Sequence, residues 1–286
     1  MSDPIAALIA AERLPEDYRA VVEDYWRPLA EEIARRAEAK RPLVVGINGA
    51  QGSGKTTLCK FLEELLAERG LRAVTLSLDD LYLSRAERAE AAADHHPLFA
   101  TRGVPGTHDV ERGMAILDRL LAGKPADVPV FDKARDERAA ETRHVEGPVD
   151  VVLFEGWCVG AAPQSATALR EAANDLERAE DLDGIWRREV NRRLATDYAE
   201  LFARIDLLVM LKVPDFATVR AHRARQEQRL GAGPALMDEA ALDRFLAHYQ
   251  RLTEHMLAEM PARADILVEI GRDQRPVRLS TKVHLQ

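Results

Sequence analysis

The chain has 286 residues, of which 47% are hydrophobic and 31% are charged, a balance that is ordinary for a globular protein. Its 40 basic and 48 acidic residues give a formal net charge of -8, which argues against a general nucleic-acid-binding surface. Two cysteines are too few for a disulfide framework or a zinc cluster, and no apolar segment is long enough to span a bilayer, so we expect a cytoplasmic protein without membrane partners.

The pattern of apolar residues predicts an α/β domain preceded by a helical extension. Residues 1–40 place apolar side chains at helical spacing, and we expect them to pack on the core. Across residues 41–286, short apolar runs alternate with helical patterns, which is typical of a parallel sheet covered by helices. The predicted strands are residues 43–47, 73–78, 149–154, 205–213 and 265–270. The predicted helices are residues 55–69, 109–122, 166–203, 215–230 and 238–260.

The segment 49–56 follows the first predicted strand and fits the phosphate-binding pattern G-x-x-x-x-G-K-(S/T). Its glycines keep side chains away from a phosphate, so that backbone N–H groups can point at it. Lys55 supplies a charge for the outer phosphates, Thr56 offers a hydroxyl to Mg²⁺, and the next helix turns its positive end toward the anion. The predicted nucleotide-binding residues are Gly49, Ala50, Gln51, Gly52, Ser53, Gly54, Lys55, Thr56 and Thr57.

Two carboxylates, Asp79 and Asp80, end the second predicted strand just before Tyr82. Ligands of open α/β sheets bind at the carboxyl edge of the strands, so either acid is in position to take a proton from a substrate hydroxyl. The alternative interpretation is that one of them merely caps a helix or a turn.

Two long segments, residues 84–108 and 123–148, exceed ordinary α/β connections, and we interpret them as a substrate-binding insertion. They carry Arg102, His108, Lys133 and Arg138, which are suited to bind an anionic acceptor by charge-assisted hydrogen bonds. For any one of them, a surface ion pair is the simpler explanation.

A second acid, Glu155, ends the apolar strand predicted at 149–154. A carboxylate here is expected to orient Mg²⁺ or its water shell beside Thr56.

The predicted helix 215–230 is rich in arginine and includes Arg223 and Arg225. A guanidinium that folds over the phosphates would offset charge on the transferring group, so this helix is a candidate lid. A solvated basic face is the alternative, because this chain favours arginine over lysine throughout.

Taken together, these motifs resemble those of the plant and fungal D-glycerate 3-kinase family, a branch of the P-loop kinases related to phosphoribulokinase, uridine kinase and pantothenate kinase. The resemblance rests on the phosphate loop and four further segments over about residues 41–275: 79–82, 102–109, 128–133 and 153–157. It implies an α/β P-loop fold with a five-stranded parallel sheet flanked by helices. It also implies that Asp79, rather than Asp80, is the catalytic base. We predict that Asp80 and Tyr82 contact the acceptor.

The resulting prediction is an ATP- and Mg²⁺-dependent kinase of a small anionic hydroxy acid, D-glycerate foremost. Pantothenate, ribulose 5-phosphate and uridine remain alternative acceptors, and the cationic insertion disfavours uridine. A nucleotide-dependent switch protein is the alternative from another class. The absence of an Asn-Lys-x-Asp segment, with which GTPase switches read guanine, argues against a GTPase.

Overall fold

The computed structural model describes residues 3–229 and 237–282. The ends of the predicted domains at residues 1 and 286, and the last residue of the predicted helix 215–230, lie outside this part of the chain. No helix among the described residues is long and apolar enough to cross a bilayer.

The centre of the molecule is a six-stranded sheet. Its strands are β1 Leu43–Gly49, β2 Ala73–Ser77, β5 Val151–Gly156, β6 Leu207–Lys212, β7 Ile266–Ile270 and β8 Pro276–Thr281. Their order across the sheet is β2-β5-β1-β6-β7-β8. The first five run parallel, as predicted, and β8 adds an antiparallel edge that the sequence analysis did not include. Strands β1 and β5 are buried along their whole length, which is why they read as continuous apolar runs.

Four predicted helices form within a few residues of their expected bounds. They are α4 Lys55–Ala67, α6 Val110–Leu121, α10 Phe216–Arg229 and α11 Glu239–Glu259. Together with the parallel sheet, they confirm the predicted α/β fold.

The single helix predicted at residues 166–203 is wrong. Three short helices occupy residues 175–202 instead: α7 Asp175–Glu180, α8 Ile185–Ala195 and α9 Asp197–Phe202. Gly184 interrupts the helical path with a positive φ of 68°, and the buried Asp181 carboxylate accepts hydrogen bonds from the first N–H groups of α8. These local breaks outweigh the helical composition of the segment.

The N-terminal extension is helical, as predicted. It comprises α1 Pro4–Ala11, α2 Tyr18–Val21, a π-helical turn Val22–Trp26 and α3 Arg27–Ala39. Its apolar residues share one hydrophobic core with one face of the central sheet and with α4. This packing braces the helix that begins at the phosphate loop.

The two long segments have more regular structure than the sequence indicated. The first contains α5 Arg85–Asp94 and a 3₁₀ turn Pro97–Ala100. The second folds into an antiparallel hairpin of β3 Ala126–Asp132 and β4 Glu137–Val145, which is separate from the central sheet. Each segment contributes a residue, Arg102 and Lys133 respectively, to the cavity that the phosphate loop and Glu155 also line.

Candidate active site

The phosphate loop connects β1 to α4 with a backbone that requires glycine. Gly52 and Gly54 have φ values of +73° and +93°, which residues with a side chain rarely adopt. At Gly49, a Cβ would lie 2.5 Å from the Oγ of Ser53 and would crowd the loop. Lys55 begins α4 and donates from Nζ to the Ala50 carbonyl oxygen at 3.3 Å. The loop and the first turn of α4 together form an anion-binding concavity.

Glu155 ends β5 beside the phosphate loop and is 5% exposed. Its Oε1 accepts hydrogen bonds from Thr56 Oγ1 at 3.3 Å and from Ser77 Oγ at 2.9 Å. Burial raises the pKa of the Glu155 carboxyl above its ordinary value. One carboxylate and nearby hydroxyls are the oxygen ligands that Mg²⁺ takes when phosphates complete its coordination, so the residues present fit this ion.

Asp79 lies in the 3₁₀ turn Leu78–Leu81 that follows β2. Its Oδ1 accepts a hydrogen bond from the Tyr82 hydroxyl at 3.1 Å, and its Oδ2 pairs with Lys133 Nζ at 2.5 Å. Burial by itself would raise the pKa of Asp79, but the Lys133 charge and hydrogen bond more than offset it and lower the pKa to about 2. The carboxylate is therefore ionised and already engaged on both oxygens.

Asp80 points to a different part of the molecule. Its Oδ1 accepts a hydrogen bond from the backbone N–H of Phe131 at 3.3 Å and so connects the turn after β2 to the hairpin. Burial raises the pKa of its carboxyl, and the side chain lies outside the cavity that Asp79 lines. The two acids that the sequence left as alternatives thus have distinct surroundings.

A cavity of about 180 Å³ joins the phosphate loop to Asp79 and to the two insertions. Ten of its lining residues were predicted from sequence: Gln51, Gly52, Lys55, Thr56, Asp79, Tyr82, Arg102, Lys133, Glu155 and Arg223. The other four, which the site predictions missed, are Trp157, Gln226, Phe245 and Tyr249.

Arg102 is held in this cavity by contacts on its backbone and its side chain. The next residue, Gly103, has a φ of +138°, and a Cβ there would lie 2.1 Å from the Tyr249 hydroxyl. That hydroxyl donates to the Arg102 carbonyl at 3.0 Å, while the Trp157 indole N–H donates to the Gly103 carbonyl at 2.8 Å. The Arg102 guanidinium forms an ion pair with Asp136 in the turn between β3 and β4. The sequence could have identified Trp157, because it follows the predicted metal-site residue Glu155 by two positions. Tyr249 could not be distinguished in this way, because it is one of many apolar positions on a helix.

Asp136 connects the two insertions. Its Oδ2 accepts from the fully buried Arg88 at 2.5 Å, and Arg88 also donates to the carbonyls of Leu83 and Ala100. One carboxylate thus ties α5 and the loop that carries Arg102 to the hairpin that carries Lys133.

His108 and Arg138, both predicted to bind the acceptor, do not line the cavity. The His108 ring stacks on Tyr82 at 4.5 Å, and its Nδ1 lies 2.6 Å from the Tyr198 hydroxyl. Burial lowers the pKa of His108 to about 3, so the ring is neutral and offers no charge to an anion. Arg138 donates to the Tyr82 carbonyl at 3.3 Å and pairs with acids nearby. In this structure both residues contact Tyr82, which lines the cavity, and do not reach the cavity themselves.

The two arginines of the candidate lid, Arg223 and Arg225, also lie in different surroundings. Arg223 lines the cavity, with its guanidinium 5.7 Å from the Phe245 ring centre. Arg225 instead donates to the Arg272 carbonyl at 2.7 Å in the turn between β7 and β8. Of the two, Arg223 faces the phosphate loop across the cavity.

The predicted nucleotide-binding residues divide between two clefts and the inner wall of the loop. Gly54 and Thr57 line a second cleft of about 270 Å³, together with His222 and Gln274. Gln274 donates to the Gly52 carbonyl at 2.8 Å, which joins the β7–β8 turn to the tip of the loop. Ala50 and Ser53 are buried within the loop.

Comparisons with known proteins agree with this geometry. Residues 24–214 match the model of the KAP family P-loop domain. An uncharacterized kinase of Schizosaccharomyces pombe is 35% identical over 224 residues, which cover 73% of this chain and 79% of that protein. The chloroplastic D-glycerate 3-kinase of Arabidopsis thaliana is 30% identical over 257 residues, and the match covers 82% of this chain but only 54% of that longer protein.

A solved structure resembles this one over most of its length. The D-glycerate 3-kinase of Cryptococcus neoformans aligns with a TM-score of 0.76 and 26% identity, covering 92% of this chain and 99% of that one. The resemblance therefore includes the insertions as well as the central sheet.

Proposed function

The chain belongs to the KAP family of P-loop domains and is a small-molecule kinase, and from this we propose that it phosphorylates D-glycerate on its 3-hydroxyl with ATP. The products are 3-phosphoglycerate and ADP. The observation that carries the proposal is the cavity in which a phosphate loop, an ionised carboxylate and two cations meet. This arrangement provides a phosphoryl donor site, a base and an anion site for the acceptor.

The donor side binds the nucleotide phosphates. Backbone N–H groups of residues 50–56 and the first turn of α4 hold the phosphate oxygens, and Lys55 neutralises charge on the outer ones. Thr56 and Glu155 would hold Mg²⁺, which when bound supplies charge for the developing negative oxygens. The second cleft, beside Gln274, is open to the nucleoside part of ATP.

On the acceptor side, Asp79 takes the proton of the attacking hydroxyl. The hydroxyl oxygen then forms a bond to the γ-phosphorus as the bond to the leaving ADP oxygen breaks. Arg223 faces the same cavity and is suited to offset charge on the transferring group.

Arg102 and Lys133 favour an acid as the acceptor over a neutral nucleoside. Both line the cavity near Asp79, and a carboxylate between them would receive charge-assisted hydrogen bonds. Uridine has no anionic group for these cations. This argues against uridine as the acceptor, although a uridine kinase of Leuconostoc citreum is 33% identical over 41% of this chain.

The test is ADP release from Mg·ATP with D-glycerate, L-glycerate, pantothenate, ribulose 5-phosphate or uridine, with the product identified by NMR. We expect D-glycerate to stimulate release and to yield 3-phosphoglycerate. Stimulation by another acceptor alone would overturn the choice of glycerate. ATP binding without stimulation by any acceptor would favour the nucleotide-dependent switch.

A further inference from the structure

The ion pair between Asp79 and Lys133 is at odds with the role of Asp79 as a base. A general base must have an oxygen available to the proton it removes. Here Oδ2 is in contact with the Lys133 ammonium at 2.5 Å, and Oδ1 accepts from the Tyr82 hydroxyl at 3.1 Å. The ammonium and the hydroxyl both stabilise the ionised carboxylate, so Asp79 has little tendency to accept a proton while they are in place.

We propose that Lys133 holds Asp79 inactive until an anionic acceptor binds, and that the acceptor's anion then draws the ammonium away from Asp79. The inference rests on the proposed function, because it takes Asp79 as the base. It adds that the acid group of the acceptor has two roles: it contributes to binding, and it frees Asp79 to act as the base.

Lys133 can make this move because its side chain is flexible and largely exposed while its backbone is fixed. The side chain is 60% exposed and hangs from the turn between β3 and β4. That turn is fixed by the pairing of Asp136 with Arg88 and Arg102, and by Asp132, which accepts hydrogen bonds from the N–H groups of residues 134 and 135. Rotation about the bonds of one flexible side chain is therefore sufficient.

Arg102 marks the place to which the ammonium would move. Its guanidinium donates to the Lys133 carbonyl at 3.4 Å, and both side chains line the cavity. An acceptor carboxylate bound at Arg102 lies within reach of the Lys133 side chain. The ammonium then exchanges one carboxylate partner for another, so its charge stays paired throughout.

The consequence concerns water as a competing acceptor. Water has no charge with which to displace Lys133, so Asp79 stays engaged when ATP is bound without acceptor. In hydrolysis, the water oxygen would form the bond to the γ-phosphorus, ADP would leave, and the water proton would pass to Asp79. While the ion pair keeps Asp79 from accepting this proton, hydrolysis of ATP by water is suppressed.

The decisive measurement is ATP hydrolysis with Mg·ATP and no acceptor. We expect Lys133→Met to raise the rate about tenfold or more, because it frees a general base. The double variant Lys133→Met/Asp79→Asn should return to the low rate of the unchanged protein. Arg135→Met is the matched control: this cation lies on the same turn, is 85% exposed and pairs with Asp132, and its loss should leave hydrolysis unchanged.

A role of Lys133 in binding alone predicts a different result. In that case Lys133→Met raises the KM for the acceptor and leaves acceptor-free hydrolysis at its original rate, which would overturn the inference. Lys133→Gln, made in parallel, guards against an effect particular to methionine. Lys133→Arg should keep hydrolysis low because it retains a cation.

The same assay separates this inference from the proposed substrate. Hydrolysis is measured without any acceptor, so a rise in Lys133→Met supports the inhibitory ion pair even if D-glycerate proves inactive. The converse result is that the unchanged protein phosphorylates D-glycerate while Lys133→Met hydrolyses ATP no faster than the unchanged protein does. That result would support the proposed function and reject the inhibitory role of the ion pair.

Discussion

The two sides of the cavity are built in different ways. On the donor side, strand, loop and helix are consecutive in the chain, and the proposed phosphate contacts come mainly from backbone groups of residues 49–56. On the acceptor side, side chains from distant segments meet, and two of them, Arg102 and Lys133, come from separate insertions. The comparison teaches that the proposed nucleotide site is formed by one continuous segment, whereas the proposed acceptor site depends on tertiary contacts between insertions.

The largest effect is expected at Asp79, which belongs to the acceptor side. Asp79→Asn should lower kcat by about 10²- to 10⁴-fold because the variant cannot accept the proton, while ATP affinity stays nearly unchanged. Steady-state kinetics and calorimetric ATP binding check this. Asp80→Asn is the matched control, since Asp80 contacts the Phe131 backbone outside the cavity. A larger loss of turnover in Asp80→Asn would transfer the role of base to it.

Lys55 gives the converse test on the donor side. Lys55→Ala should reduce kcat by about 10²-fold and also weaken ATP binding, because one charge serves both the bound phosphates and the transition state. Calorimetry and turnover measured on the same sample would check both effects. If ATP affinity and rate were both unchanged, the assignment of the phosphate site would be wrong.

Arg102 should affect the acceptor alone. Arg102→Met removes a charge-assisted contact of about 1.5–3 kcal/mol, so the KM for the acceptor should rise about 10- to 100-fold with the KM for ATP unchanged. Arg85→Met is a suitable control, because Arg85 also approaches Asp136, at 4.0 Å, but does not line the cavity. An equal rise of both KM values in Arg102→Met would contradict the separation of the two sides.

The smallest effect concerns the stability of the acceptor side. His108 has a pKa of about 3 when folded, well below that of an exposed histidine, so the unfolded chain binds more protons between pH 3 and 6.5. Its contribution to stability is therefore fully present above pH 6.5 and falls with acidification. Relative to His108→Gln, the unchanged protein should lose about 2 kcal/mol more between pH 7.5 and pH 5, as measured by urea unfolding.

His144 is the control of opposite sign. Its pKa is raised in the folded state by the hydrogen bond to Asp127, so this pair stabilises the protein below pH 6.5 and the benefit is lost as the pH rises. His144→Gln should therefore make the loss of stability on acidification slightly steeper. Identical pH slopes for the unchanged protein and His108→Gln would reject the buried, neutral histidine.

The donor side could be predicted from sequence because its signals are local. Buried parallel strands are continuous apolar runs, and the loop needs glycine at Gly52 and Gly54 for backbone reasons. The prediction of one helix over 166–203 was wrong, because composition does not reveal that a buried side chain such as Asp181 starts a new helix.

The acceptor side could be predicted only in part. Sequence identified the cationic residues of the insertions but could not tell which side chains face inward. Arg102 and Lys133 line the cavity, whereas His108 and Arg138 lie behind Tyr82. Tyr249 reaches the Arg102 backbone from a helix 147 positions further along the chain, and no local pattern signals such a contact.

The β3–β4 hairpin supplies Lys133 and Asp136 without pairing with a strand of the central sheet. Its buried residues Ala126, Val128 and Val145 belong to the core on one face of the central sheet, so an exchanged hairpin must keep this packing. With that packing kept, we expect a different turn at residues 133–136 to change the preferred acceptor and to leave the phosphate loop in place. For the engineer, residues 126–145, rather than the loop at 49–56, are therefore the stretch to graft when a new phosphorylated product is wanted.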